Sequence, residues 1–201
     1  MRGARAALPV CTLLLALGCT TTRDSAPPST QWADYQDHAR SLTSWELSAK
    51  VALRWPGGAE SARLDWSQRN DQSQLELSGP LGAGAVRITR EGDRLQVVRG
   101  GERHVYDSST PETLAAATGW PIPVNALPFW LRGLPDPNQP IDHLALLNGR
   151  AQEIRQGGWI VSYSDYAPAG DGYLPMTLHL SLPADAISLR LVKGRWSTES
   201  P

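Results

Sequence analysis

The sequence predicts a mainly β fold, in which a single curved antiparallel sheet of about ten or eleven strands closes toward a barrel around an apolar interior. Long stretches alternate apolar and polar residues with a period of two, which is typical of strands with one apolar and one wet face. The connections between these stretches are short, which favours antiparallel neighbours. One insert with helical spacing interrupts the strands, and its two or three short helices suit a lid over the open mouth.

The chain begins with the three parts of a secretory signal. Two arginines precede an apolar run over residues 6–17, which ends in Gly18 directly before Cys19. The segment is similar to a bacterial lipoprotein signal, in which Cys19 is lipidated and becomes the first residue; the alternative is a free cysteine in a signal cut elsewhere. We therefore assign residues 1–18 to a signal peptide and residues 19–30, rich in Thr, Ser and Pro, to a lipidated N-terminus and flexible linker. The run is too short to span a membrane.

Removing 18 of the 201 residues leaves 183, enough for one domain with a sizeable core, which we place at residues 31–201 with its lid at about 110–134. The signal holds two of the 19 Lys and Arg residues and none of the 20 Asp and Glu residues, so the mature chain carries a net charge of −3. Without a basic block, nucleic acid is not an expected partner. Both cysteines precede the domain, which therefore has no disulfide. Eight Trp against one Phe indicates large amphipathic rings that line a cavity or lie at a wet boundary.

A short helix and a series of strands follow the linker. Ser29 or Thr30 can cap the helix, whose apolar residues recur at helical spacing up to about Leu42. From Ser44 the period is two. The apolar faces of the next strands are formed by Trp45, Leu47, Ala49, Val51, Leu53 and Trp55, by Ala62, Leu64 and Trp66, by Leu75 and Leu77, by Val86 and Ile88, by Leu95 and Val97, and by the stretch from His104 to Tyr106.

The connection after Leu77 has an unusual composition. It places Leu81, flanked by Pro80 and Gly82, at the tip of a glycine-rich turn, where polar residues are usual.

The insert predicts two helices. Thr110 caps the first, which ends near Gly119. Pro123 starts the second, which ends at Gly133 or Pro135. An apolar stripe on this second helix consists of Val124, Leu127, Leu131 and Leu134, with Trp130 beside it.

Strands resume near Leu144 and continue to Trp196. Their apolar faces are formed by Trp159, Val161 and Tyr163, by Leu174, Met176, Leu178, Leu180 and Leu182, and by Ile187, Leu189 and Leu191.

The alternation is compatible with two arrangements of the apolar faces: an ordinary sandwich whose faces pack on each other, or a barrel that encloses a pocket. The helical insert and the many tryptophans favour a pocket, since pockets at barrel mouths are mostly apolar. No nucleophile elbow, Walker motif or dinucleotide motif is present, and the four histidines are isolated. We therefore expect that the protein is not an enzyme and that it binds no cofactor and no metal. His179, Asp65 and Glu76 are predicted to point outward from their strands.

Three further segments are distinctive as a set. They are G-W-P-I-P-V at 119–124 with Leu127, Trp130 and Gly133 after it, Q-G-G-W at 156–159 with Val161 and Tyr163, and the stretch 187–196. Together they resemble the LolB family, the outer-membrane lipoproteins that receive lipoproteins in Gram-negative bacteria. The resemblance covers essentially the whole chain, including the signal and the Leu81 turn. Where many members have Gly-Arg in the first strand, this chain has Ala49-Lys50, so a role tied to that arginine is not carried over.

The resemblance implies an incomplete, half-open antiparallel β-barrel with a helical lid and an apolar cavity. It also implies that the chain accepts lipoproteins from the periplasmic carrier LolA and places their acyl chains in the inner leaflet of the outer membrane. The membrane-insertion loop of the family falls on Leu81, with Pro80 and Gly82. Thr20 follows the lipidated cysteine where retention in the inner membrane requires Asp, so sorting to the outer membrane, facing the periplasm and as a monomer, is expected.

The predicted acyl-binding cavity and lid consist of apolar residues from the strands and the insert: Trp45, Leu47, Val51, Leu53, Leu64, Trp66, Leu75, Leu77, Leu127, Trp130, Leu131, Trp159, Met176 and Leu178. An alternative function is a lipid-anchored adaptor or structural protein that binds a polypeptide partner without acyl transfer. A cell-wall or lipid hydrolase would need a clustered nucleophile and base, which the sequence does not display.

Overall fold

A computed structural model describes residues 28–79, 84–107, 110, 113 and 123–198. These residues form helix α1 (Pro28–Ser41), helix α2 (Leu127–Leu131), one turn of 3-10 helix (Pro183–Asp185) and eleven strands. The strands are β1 (Ser44–Trp55), β2 (Gly58–Arg69), β3 (Gln72–Ser78), β4 (Val86–Glu91), β5 (Arg94–Arg99), β6 (Glu102–Tyr106), β7 (His143–Leu147), β8 (Arg150–Gln156), β9 (Trp159–Ala169), β10 (Gly172–Leu182) and β11 (Ile187–Thr198).

All eleven strands belong to one antiparallel sheet, in the order β6-β5-β4-β3-β2-β1-β11-β10-β9-β8-β7. Buried side chains from strands as distant in this order as β5 and β8 share one hydrophobic core. Because neighbouring strands lie about 4.8 Å apart, a flat sheet would hold these strands far from each other, so the sheet is curved. Strands β6 and β7 are its two free edges. This architecture confirms the predicted half-open barrel and excludes the ordinary sandwich.

Strand β1 lies at the centre of the sheet and joins its two halves. It pairs with β2 over its whole length, and with β11 on its other side. Its buried residues follow the predicted alternation and are Trp45, Leu47, Ala49, Val51 and Leu53. The early hairpins and the last strand of the chain therefore form one continuous inner face.

Strand β10 departs from the predicted alternation at Met176. The register with β9 shifts between Pro175 and Thr177 and again before Leu178. Such a bulge adds a residue that has no partner opposite it and turns the following side chains. Leu174 and Leu178 are consequently buried, whereas Met176 between them is half-buried.

Helix α1 begins at Pro28, within the last residues of the segment predicted as linker, and ends at Ser41. Its buried residues Tyr35 and Ala39 lie four positions apart on one face, as expected for a helix packed on a sheet. The helix lies against β8 and β10, where His38 packs over Gly172. Among the described residues, no helix combines the length and hydropathy needed to cross a membrane.

The predicted lid helices are described only in part. Of the first, over 110–119, the structure describes Thr110 and Thr113, and the Thr113 amide donates a 3.3 Å hydrogen bond to Thr110 Oγ1, as in a helix cap. The prediction for the second was too long, since regular helix covers only Leu127–Leu131. A turn that hydrogen-bonds the Pro123 carbonyl precedes it, and Gly133, with a φ of +72°, ends it.

Candidate functional site

An apolar cleft lies between α2 and the inner face of the sheet. Each strand of the wall turns every second side chain toward the helix, which explains why the lining is so uniform. Only Glu60, on an exposed position of β2, is ionisable. The lining consists of Val51, Leu53, Glu60, Ala62, Leu64, Trp66, Leu75, Leu77, Leu127, Leu131, Leu189 and Leu191.

The cleft is narrow. Its free volume is only about 40 Å³. Pockets that enclose a drug-sized ligand measure roughly 300–1,000 Å³. A long apolar ligand therefore enters only if α2 moves away from the sheet or the lining side chains repack.

The structure brings most of the predicted cavity residues together. Eight of them line the cleft: Val51, Leu53, Leu64, Trp66, Leu75, Leu77, Leu127 and Leu131. Five others, Trp45, Leu47, Trp130, Trp159 and Leu178, belong to the same core beside the cleft. Met176, half-buried at its bulge, is not among the lining residues.

Four lining residues were absent from the predicted cavity: Glu60, Ala62, Leu189 and Leu191. The alternation of β2 and β11 already placed the last three on an apolar face. The alternation does not reveal that β11 lies next to β1. The two strands pair although more than a hundred residues separate them in the chain, for example at Leu189 and Leu53.

The far side of α2 is held to the barrel by hydrogen bonds. Trp130 Nε1 donates to Gln156 Oε1 at 3.0 Å, and the Tyr163 hydroxyl donates to the Trp130 carbonyl oxygen at 2.8 Å. Leu127 and Leu131 face the cleft from the same short helix. The residues facing the cleft and those bonded to the barrel therefore alternate along one short helix.

Gln156, at the end of β8, organises the chain after the lid. Its side-chain oxygen accepts from Trp130 Nε1 and from the Asp136 amide, while its nitrogen donates to the carbonyl oxygens of Asp136 and Gln139. These four bonds use the full capacity of a side-chain amide. No role was predicted for Gln156, although it is the first residue of the distinctive Q-G-G-W segment at 156–159.

Arg132 joins the lid to helix α1 and is also absent from the predicted site. Its side chain is 8% exposed. Its Nε donates to the Pro128 carbonyl oxygen at 2.9 Å, and its Nη1 donates to those of Ala39 and Leu42 at 2.8 and 2.9 Å. Burial lowers the pKa of Arg132 to about 10, so the guanidinium stays charged at neutral pH. No carboxylate of a described residue forms an ion pair with it.

Tyrosines complete this junction between α1 and the lid. The Tyr35 hydroxyl donates to the Arg132 carbonyl oxygen at 2.6 Å, and the Tyr166 hydroxyl donates to that of Ala151 at 2.7 Å. Burial raises the pKa of both phenols. A Cβ on Gly133 would lie 2.5 Å from the Tyr35 hydroxyl oxygen and 3.0 Å from that of Tyr166, so glycine is required by close approach as well as by its positive φ.

The titratable side chains outside the cleft are scattered over the described part of the molecule. Among the described residues, no three His, Cys, Asp or Glu side chains gather as metal ligands. As predicted, His179 is exposed on β10, and Asp65 and Glu76 face outward, where they pair with Arg63 and Arg87. The cleft itself is suited to shielding an apolar chain from water.

Cys19 and the loop residues Pro80, Leu81 and Gly82 lie outside the described residues. The strands that flank this loop are described. Leu77, one residue before the end of β3, lines the cleft and pairs with Val86 at the start of β4. Strand β3 therefore ends, and β4 begins, beside the cleft wall.

Comparison with known proteins gives one consistent family. A family model described as outer membrane lipoprotein LolB matches residues 43–196. The outer-membrane lipoprotein LolB of Chromohalobacter salexigens is 33% identical over 199 residues, which cover 96% of this chain and 90% of that protein. The LolB of Pseudomonas fluorescens strain Pf0-1 is 38% identical over 169 residues, covering 83% of this chain and 80% of that protein.

Two solved structures share the fold. The LolA superfamily protein NE2245 from Nitrosomonas europaea superposes with a TM-score of 0.56 at 10% identity, covering 88% of this chain and 96% of that chain. A putative outer membrane lipoprotein-sorting protein domain from Vibrio parahaemolyticus gives 0.55 at 9% identity, covering 87% and 94%.

Proposed function

This chain belongs to the LolB family of outer-membrane lipoproteins, and from that membership we propose that it takes lipoproteins from the soluble periplasmic carrier LolA and inserts their acyl chains into the inner leaflet of the outer membrane. The proposed process transfers an intact lipoprotein and makes or breaks no covalent bond. A role in lipoprotein localisation at the outer membrane is common to the family, whereas the carrier and the insertion step are the specific content of the proposal.

The observation that carries the proposal is the cleft under α2, whose lining is aliphatic or aromatic apart from Glu60 at an exposed position. An acyl chain of about sixteen carbons gains on the order of 13 kcal/mol when it leaves water. Such a chain does not cross the periplasm unprotected at a useful rate. The donor cavity and this cleft must therefore dock mouth to mouth while the chain passes between them.

Delivery to the membrane requires that the cleft hold the chain less well than the bilayer does. A cleft that is open at one side and must be widened to accept its ligand meets this requirement, since the work of moving α2 is recovered when the ligand leaves. Release of the chain from the cleft into the bilayer is then downhill.

The N-terminus supplies the anchor in this proposal. Residues 1–18 are removed, Cys19 is lipidated, and a linker connects it to a single domain that begins near α1. Two or three acyl chains on one cysteine give an effectively permanent attachment. Leu81, buried in the leaflet, adds only about 1.5 to 3 kcal/mol, which orients the mouth of the cleft without anchoring it.

The test is reconstituted transfer. The chain from residue 19 onward, with Cys19→Ser, is mixed with a triacylated lipoprotein held on its carrier, and liposomes are then added. The proposal expects the lipoprotein to move first to this protein and then to the liposomes. A folded protein to which no lipoprotein moves contradicts the proposal.

One observation favours a second candidate, a lipid-anchored adaptor that binds a polypeptide without acyl transfer. The free space in the cleft, about 40 Å³, is that of a nearly packed interior. The same reconstitution separates the two functions, because an adaptor accepts no acylated client.

A further inference from the structure

Trp45, near the start of β1, has a buried indole N–H whose hydrogen bond no group of the described residues accepts. The residue is 2% exposed, and within residues 28–79, 84–107, 110, 113 and 123–198 its Nε1 has no acceptor. Its neighbours differ. Trp66 Nε1 donates to Gln68 Oε1 at 3.2 Å, and Trp196 Nε1 donates to the Pro175 carbonyl oxygen at 2.8 Å. A buried polar group without a partner is rare, because it lowers the stability of the folded state by about 1–3 kcal/mol.

Trp45 lies between the apolar cleft and a polar groove. On one side its ring packs against Trp66, a wall residue of the cleft, with ring centroids 5.9 Å apart. On the other side Trp45 lines a groove of about 660 Å³ beyond α2, together with Asn70, Arg132 and Asp136. Helix α2 contributes to both, since Leu127 and Leu131 face the cleft and Pro128 and Phe129 face the groove.

We propose that the indole N–H of Trp45 binds an ester or amide carbonyl oxygen at the head of an acylated ligand whose chain lies in the cleft and whose polar remainder lies in the groove. The inference rests on the proposed function and specifies the chemistry that its cleft recognises. An N–H donor selects an acceptor, and a ligand that spans an apolar cleft and a polar groove has its carbonyl where the two meet.

The indole of Trp45 is buried between the cleft wall and the end of the lid helix. Its ring packs against Trp66, and the guanidinium carbon of Arg132, the residue directly after α2, lies 6.0 Å from the ring centroid. In the proposal, the movement of α2 that admits a chain also uncovers the indole N–H. The carbonyl of the ligand then supplies the missing acceptor. Binding of such a ligand removes the free-energy cost of the unpaired N–H, whereas a bare hydrocarbon has no acceptor and leaves that cost in place.

Two lysolipids test this inference directly. Lysophosphatidylcholine has an ester carbonyl next to its chain, and its ether analogue of equal chain length has none. Binding of both to the Cys19→Ser protein is measured by calorimetry below their micelle concentrations. The protein with Trp45 intact is expected to bind the ester lipid about threefold to tenfold more tightly than the ether lipid, because one hydrogen bond contributes this much to affinity.

The variant Trp45→Phe keeps an aromatic ring and removes the donor. Its affinity for the ester should fall to that for the ether, while the ether affinity stays unchanged. Trp196→Phe is the matched control, because its N–H is already bonded to Pro175; it should preserve the preference for the ester. Equal affinities of the wild type for the two lipids overturn the inference even if Trp45→Phe does not fold, and so does an equal loss of both in that variant. If neither lipid binds the wild type, the acyl cleft itself is refuted along with the inference.

Discussion

The hydroxyl of Tyr35 lies 2.6 Å from the carbonyl oxygen of Arg132, 97 positions later in the chain, and donates a hydrogen bond to it. Arg132 in turn donates to the carbonyl oxygens of Ala39, in the last turn of helix α1, and of Leu42, the residue after the helix. These bonds connect the first described helix to the lid in both directions. In the proposed function the segment that leads to the membrane anchor is therefore attached to the element that must move when a ligand enters.

Removing the hydroxyl with Tyr35→Phe should lower the free energy of unfolding by about 1–3 kcal/mol, because the buried Arg132 carbonyl loses its donor. Urea denaturation measures the difference. Tyr173→Phe is the control: Tyr173 is 42% exposed and packs on Arg150 through its ring, which phenylalanine retains, so its stability should change by less than about 0.5 kcal/mol. Equal stabilities of the two variants would mean that this bond does not hold the lid.

Arg132→Met should destabilise the protein by about 2–4 kcal/mol, since three buried carbonyl oxygens lose their donor. Arg132→Lys keeps the charge but replaces the planar fork with one ammonium, and should recover less than half of the loss. Arg87→Met, which breaks only an exposed pair with Glu76, is expected to cost less than about 1 kcal/mol. Thermal denaturation of the three variants decides, and a fully stable lysine variant would contradict the fork geometry.

Filling the cleft should block binding while the fold is retained. Ala62 is half-buried in the cleft wall, and Ala62→Phe adds a ring to a cleft that has little free space. We expect the affinity for a long-chain lysolipid to fall by roughly tenfold or more, and the free energy of unfolding to fall by about 1–3 kcal/mol because the lining must repack. Ala52→Phe, on the outer face of β1, is the control and should bind normally. Unchanged lipid binding by the filled variant would show that the chain does not use this cleft.

The loop prediction concerns delivery alone. Leu81→Glu should leave folding and acceptance of lipoprotein nearly intact and prevent insertion into liposomes, because a carboxylate at the loop tip does not enter the leaflet. Leu147→Glu changes a leucine that is 57% exposed on edge strand β7 and should deliver normally. The measurement is the fraction of lipoprotein recovered with liposomes. Normal delivery by Leu81→Glu would refute the role of the loop.

Much of the sheet was predictable because strand faces depend on local alternation. Trp45, Leu47, Val51 and Leu53 were assigned to one inner face, and all are buried there. The bulge at Met176 was not predictable, since the residues around it continue the same alternation and only the register with β9 interrupts it. The helix α2 was predicted too long for a related reason: its apolar stripe extends beyond the point at which Gly133 turns the chain.

The buried polar contacts were beyond prediction for a different reason. Gln156 and Arg132 are ordinary surface residue types, and each is stabilised here by carbonyl oxygens from distant segments. A sequence pattern records which residues are apolar but not which backbone groups will need donors once the chain has folded. Sequence alone therefore named the cleft wall more completely than the bonds that hold its lid.

By itself, the sequence determined that this protein contains an antiparallel β-sheet with one apolar face and a helical interruption, and it predicted an N-terminal lipoprotein signal. Each of these is encoded within a few neighbouring residues. The tertiary structure decided the width of the cleft, the attachment of the lid to α1 and the unpaired indole of Trp45. These properties depend on sheet curvature and on contacts between residues that are 97 or more positions apart in the chain, separations over which no local pattern specifies contact.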